Sequence, residues 1–138
     1  MGNSFVTRRR VEFRDTDAAG IAHFSVFFVW MEQAEHAALR DIDVSVVSQG
    51  EDGTISWPRV SAACDYRNPL RFEECVEIEV GIADLGTRSV TYGFQFRCQE
   101  REIATGKITT VCCRLKDGHW SSTEIPAEVR SKLAKLTM

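Results

Sequence analysis

Along residues 4–14 apolar and polar positions alternate. Phe5, Val11 and Phe13 share one parity and Arg8, Arg10 and Glu12 the other, the pattern of a half-buried strand. Residues 15–20 break the alternation with small and polar side chains ending on Gly20, which predicts a turn. The period then changes. Phe27, Met31, Ala34 and Ala38 form a helical stripe, so a long helix is expected over residues 23–39, with Ser25 as a candidate cap. Val26, Phe28, Val29 and Trp30 make its first two turns apolar almost all round, so that part is expected to be buried on most sides. Glu32, Gln33, Glu35, His36 and Arg40 turn the later half towards solvent.

Residues 41–57 are weakly patterned, with Gly50 and Gly53, and predict a short helical piece and a loop. Four strand-like runs follow. Val60, Ala62, Cys64 and Tyr66 alternate with Arg59, Ser61, Asp65 and Arg67; Val76, Ile78, Val80 and Ile82 alternate with Glu77 and Glu79. Val90, Tyr92, Phe94, Phe96 and Cys98 alternate with Thr91, Gln95 and Arg97. The last run covers residues 103–115 and holds Gly106, a candidate bulge. Gly86 and residues 99–101 suit hairpin turns. Pro126 can open a closing helix carrying Val129, Leu133 and Leu136. One strand, one helix and four successive strands favour antiparallel pairing and an α+β layer solution: a curved five-stranded antiparallel sheet wrapped around one long central helix.

Composition narrows the function classes. The 138 residues suit one domain over residues 1–138, and 43% hydrophobic residues are enough for a core. A net charge of -3 gives no argument for a nucleic-acid partner. No run approaches the ~18 apolar residues of a membrane span, and the arginine-rich start lacks the apolar stretch of a secretory signal. A cytoplasmic protein without membrane insertion is the expectation. The five cysteines include no CxxC pair and are expected to be buried reduced thiols; no His, Asp and Cys spacing suits a metal. There is neither a GxSxG elbow nor a glycine-rich phosphate loop.

The segment from Val11 to Glu32 reads VEFRDTDAAGIAHFSVFFVWME. It resembles the signature of the 4-hydroxybenzoyl-CoA thioesterase family: a strand ending in DxD, then xxG, then an aromatic-rich helix reaching Glu. VSAACDYRNPLRFEE, GTRSVTYGF, TGKITTV and EIPAEVR resemble that family's second strand and turn, central strand, last strand and closing helix. The resemblance implies the hotdog fold and hydrolysis of an acyl- or aroyl-CoA thioester without metal or other cofactor. It makes Asp17, the second Asp of DxD, the catalytic carboxylate, acting as nucleophile or as general base. It places the polarising backbone N–H groups near His23 and Phe24, and Gly20, Arg67 and Arg88 at the substrate, with Arg71 a further candidate for its phosphates. It also implies a site between subunits of a homodimer or homotetramer. The chain departs from the family at His23, where relatives carry Tyr, Asn or Phe, and at Phe24.

Each residue has a plainer alternative. Asp17 can cap its own turn. Asp15 is expected to hold the loop through side-chain-to-backbone bonds. His23 can be a hydrogen-bonded structural histidine. Glu32 is expected to support the site or an interface, and His36 and His119 to lie on the surface. Two other functions compete: a catalytically silent hotdog module that binds an acyl group or a partner, and hotdog dehydratase or hydratase chemistry, whose Asp/His segment is absent. A helix N-terminus facing a carboxylate about one turn upstream is sound chemistry for a developing oxyanion.

Overall fold

A computed structural model describes residues 2–138. The chain runs β1 (Phe5–Arg10), α1 (Val26–Asp41), β2 (Ser48–Gly50), β3 (Gly53–Ser56), β4 (Arg59–Tyr66), β5 (Cys75–Leu85), β6 (Ser89–Cys98), β7 (Arg101–Val111), β8 (Cys113–Lys116), β9 (His119–Ser122) and α2 (Ala127–Leu133). Five strands pair antiparallel in the order β1-β5-β6-β7-β4. Strand parity does the rest. Val76, Ile78, Val80, Tyr92, Phe94, Phe96, Ala104 and Ile108 are buried with Phe27, Trp30, Met31, Ala34 and Ala38 of α1. The other sheet face carries charge, as in the Arg8–Glu77 and Arg97–Glu79 ion pairs. This α+β layering is the expected one. Pro126 occupies the N-cap of α2, whose Leu133 is buried.

Several expectations need correction. The helix starts at Val26 rather than at His23 and has 16 residues, about 24 Å. It is not enclosed by the sheet. Val29 is exposed, so the all-apolar start leaves one face uncovered in a single chain. Ser25 sits at the N-cap in helical conformation, without a side-chain cap bond. The first strand ends at Arg10, and a 3-10 turn over Phe13–Asp15 swings Phe13 out to 79% exposure despite its parity with buried Val11.

Residues 41–57 hold β2 and β3 rather than a helical piece. The predicted last strand divides at Cys112 into β7 and β8, and β8 joins a second sheet of order β2-β3-β8-β9. Gly106 is not a bulge, because it pairs regularly with Cys64 and Phe94. Its missing Cβ is filled by Met31, whose sulfur lies where that atom would be. Cys98 and Cys112 are buried, but Cys75 is exposed and Cys64 and Cys113 are half-buried. His119 is exposed as expected; His36 is half-buried, and that burial lowers its pKa.

Strand β4 is the sheet edge and far more exposed than alternation predicts. Val60 is 61% exposed, and Ser61, Ala62 and Ala63 are also open. A register shift between Arg59 and Ser61 reverses parity there. Arg59 stands opposite buried Thr110 and so turns towards the helix. No helix among the described residues is long and apolar enough to cross a membrane.

Candidate active site

The loop between β1 and α1 is built from backbone bonds that the DxD segment itself organises. Asp15 Oδ2 accepts the Glu12 N–H at 2.8 Å, and the Thr16 hydroxyl donates to the Phe13 carbonyl at 2.7 Å. Asp15 therefore holds the loop. The chain then folds back on itself: the Asp17 N–H donates to the Ile21 carbonyl and the Gly20 N–H to the Asp17 carbonyl. Gly20 adopts φ 82°, the left-handed region that glycine tolerates best.

The Asp17 carboxylate uses one oxygen in this turn. Oδ1 accepts the Ala19 N–H at 2.8 Å and, at the limit of a hydrogen bond, the Ile21 N–H at 3.4 Å. Among the described residues no donor engages Oδ2. The turn thus occupies one oxygen of the carboxylate and leaves the other open.

The start of α1 is clamped from three directions. The Ala22 N–H donates to the Leu70 carbonyl and the His23 N–H to the Asp15 carbonyl, both at 2.7 Å. The His23 ring completes the turn: Nδ1 accepts the Ser25 N–H at 3.2 Å and the Ser25 hydroxyl lies 2.8 Å from the same nitrogen. An Nδ1 that accepts an amide proton carries none of its own, so a neutral His23 has its proton on Nε2. The ring also packs on Phe24, with centroids 4.6 Å apart. The His23 amide is thereby occupied. The Phe24 N–H has no acceptor among the described residues.

Asp17 borders two cavities. One of about 470 Å³ is lined by Asp17, Phe24, Phe27, Tyr66, Arg67 and Leu70, among others. The other, about 640 Å³, is lined by Phe13, Gly20 and Phe72 beside Asp17. Phe13 and Phe72 meet edge to face at 6.0 Å across it. The structure thus gathers Asp17, Gly20, Phe24 and Arg67, with His23 behind Phe24. Exposed Arg71 lies next to this group through a bridge to Ile21.

Arg88 is elsewhere. It precedes β6, where its guanidinium donates to the Ser122 hydroxyl at 3.1 Å. The ten residues of β6 span about 30 Å, and the Asp17 cavity adjoins the Tyr66 end of the sheet, opposite to the Arg88 end. Tyr66 also lines the Asp17 cavity, although alternation does not single it out. Its place on the apolar parity of β4 reads as core, yet its hydroxyl donates to the Phe24 carbonyl at 2.7 Å.

A second polar group lies under the Arg88 end. Glu35 is 2% exposed. Arg59 Nη1 is 2.8 Å from its Oε1 and Nη2 is 3.2 Å from Glu32 Oε2, so one guanidinium spans both carboxylates. The contact to Glu35 is an ion pair without a well-aligned hydrogen bond. Burial dominates and pushes the Glu35 carboxyl up to about 7, against the pull of Arg59. Among the described residues no cluster of His, Cys, Asp and Glu is grouped to hold a metal ion.

Comparison with known proteins places this geometry in context. The sequence profile of the thioesterase-like superfamily matches residues 11–133. A 1,4-dihydroxy-2-naphthoyl-CoA hydrolase of Prochlorococcus marinus (strain MIT 9313) is 30% identical over 131 residues, covering 84% of this chain and 87% of its own. A gentisyl-coenzyme A thioesterase of known structure is 32% identical, with a TM-score of 0.80 over 94% of this chain and 99% of that one. A 1,4-dihydroxy-2-naphthoyl-CoA thioesterase from Synechocystis shares the fold, with a TM-score of 0.84 over 96% of this chain and 97% of its own at 20% identity.

Proposed function

Because the chain belongs to the thioesterase-like superfamily, a family of CoA thioester hydrolases, we propose that it cleaves an acyl- or aroyl-CoA thioester at Asp17. The observation that carries this is the free Oδ2 of Asp17 on the wall of an aromatic cavity that also holds the start of α1. As general base, Oδ2 takes a proton from water, whose oxygen bonds to the thioester carbon while the carbonyl pair moves onto oxygen. As nucleophile, Oδ2 itself bonds to that carbon, and water later opens the anhydride. In either route the oxyanion meets the Phe24 N–H and the positive end of the α1 dipole. The carbonyl then re-forms and the C–S bond breaks: in the first route the CoA sulfur takes the proton held by Asp17 and leaves beside the free acid, and in the second it leaves as thiolate, giving the anhydride that water then opens to the acid.

Release of free thiol from a panel of acyl- and aroyl-CoAs tests this proposal. Thiol release from CoA thioesters, with oxygen esters left intact, is expected. Binding without release would instead support the silent module, for which Asp17 needs only its turn-capping bond.

Two predictions concern the substrate's distal end. Strand β4 is an unpaired edge carrying exposed Val60, Ala62 and Ala63, and such edges call for a partner. Two copies joined antiparallel through β4 about a twofold axis bring the Arg88 end of one sheet beside the Tyr66 end of the other. The minimum unit is therefore a homodimer, with a homotetramer as a further assembly. Light scattering at micromolar concentration should report at least twice the chain mass, and a monomer there removes the shared site.

Arg67 then holds CoA phosphates from within the subunit and Arg88 from the second copy. Arg88→Ala should raise KM with little change in kcat, as expected for lost uniform binding. An unchanged KM excludes Arg88 from the site.

A further inference from the structure

The Tyr66 hydroxyl reaches across from the end of the edge strand to a backbone carbonyl at the start of α1, a contact that none of the chemistry above uses. Its acceptor is the Phe24 carbonyl, at 2.7 Å. That carbonyl shares a peptide plane with the Ser25 N–H, which donates to His23 Nδ1. One peptide is thus gripped at both ends, by a tyrosine and a histidine from different elements. The groups on the other side are held too: the His23 carbonyl accepts the Val26 N–H at 3.0 Å, and the His23 N–H is bound to Asp15. Between these fixed groups stands the unengaged Phe24 N–H.

We infer that Tyr66 is a positioning residue of the thioesterase site, fixing the Phe24–Ser25 peptide so that the Phe24 N–H is aimed before substrate arrives. This inference rests on the proposed role of that amide as oxyanion donor. A donor that need not reorganise during the reaction is the one that lowers the barrier. At the start of α1 the backbone is not yet locked by regular helical bonds, so such a donor needs outside support. Tyr66 is suited to the task. The residue is 45% exposed, and its ring meets Phe27 edge to face with centroids 5.2 Å apart, a contact that keeps the ring beside the start of α1. Desolvation, with the nearby Cys64 adding to it, holds its phenol up at about 12, so it remains a donor throughout the neutral range.

The test is Tyr66→Phe, which deletes the hydroxyl and keeps the ring. Two readouts are needed: steady-state kinetics on the acyl-CoA that wild type turns over best, and amide hydrogen exchange at Phe24 and Ser25 by NMR. Faster exchange of the Ser25 amide is expected, together with a fall of about tenfold in kcat at unchanged KM, the pattern of support lost in the transition state alone. Faster exchange with wild-type kcat overturns the positioning role, leaving a purely structural bond. Unchanged exchange overturns the clamp itself. If wild type releases no thiol from any thioester, the proposed function fails together with the positioning role, while exchange still reports whether the peptide is gripped.

Discussion

Asp17→Asn should lower kcat by at least about 100-fold while leaving the fold and acyl-CoA binding in place, the low end of what removal of a general base costs. The structure says why the two effects separate. An asparagine oxygen can still accept the Ala19 N–H that Asp17 Oδ1 accepts now, so the turn that presents the side chain survives. What changes is the second oxygen, which becomes an NH2 group that neither takes a proton from water nor attacks a carbonyl. His23→Ala should cost less. It removes the Nδ1 acceptor of the Ser25 N–H and loosens the clamp, but the bond from the residue 23 N–H to the Asp15 carbonyl needs no side chain. The ordering of the two defects is the informative measurement. Wild-type turnover in Asp17→Asn beside an inactive His23→Ala would make the histidine the base. Single turnover in H2(18)O then tests the nucleophilic route, because water that opens the anhydride at the Asp17 carbon leaves an unlabelled Asp17 oxygen in the first product molecule and the label on Asp17, an outcome the general-base route cannot give.

The second large effect lies further along the helix, at Glu35, and is read in stability. Glu35 has a folded pKa of about 7 against an ordinary 4.5, raised chiefly by burial. The folded state therefore binds this proton more tightly than the unfolded chain does. The associated stability is fully present below the ordinary pKa and is lost as pH rises through about 7. Between about pH 4 and about pH 8 the loss should approach roughly 3 kcal/mol. Thermal melts of Glu35→Gln should lack this slope. Arg59→Met, which leaves the buried carboxylate without its cation, should lose roughly 3–5 kcal/mol above neutral pH and less in acid, where Glu35 protonates. Glu35→Gln added to Arg59→Met should recover much of that loss. A wild-type melting temperature that is flat or rising from about pH 6 to about pH 8, after correction with Glu35→Gln, refutes the assignment.

How much of this was legible in the residues depends on the range of the interaction concerned. Alternation gave β5 and β6, because a strand packed on one face repeats every second residue and Val76 to Val80 or Tyr92 to Phe96 obey that period, whereas edge strand β4 is largely exposed and the last run divides between two sheets. The DxD segment gave Asp15 and Asp17 their separate surroundings, since both act through neighbours within eight positions. Residues 48–56 hid their strands because β2 and β3 pair with each other and with β8, and neither buries a continuous apolar face. The helix start was misplaced because apolar Phe24 looks like the first turn but lies before it, 63% exposed. Arg59 was assigned to solvent by parity, and a single register shift reversed that. Tyr66 and Arg88 were unreadable for a common reason. What each touches is set by where a strand ends in space, which no local period encodes.

The contact between Met31 and Gly106 carries a consequence for the cavity, although it lies outside it. Gly106 lets the Met31 sulfur settle onto β7 where any other residue would place a carbon. Phe27, one helical turn before Met31 on the same face, lines the cavity beside Asp17. The glycine is thus a spacer that sets the stand-off between helix and sheet one turn away from the cavity wall. For the thioester proposed above, a larger residue at position 106 is therefore expected to change which acyl groups fit, through packing that does not itself line the cavity.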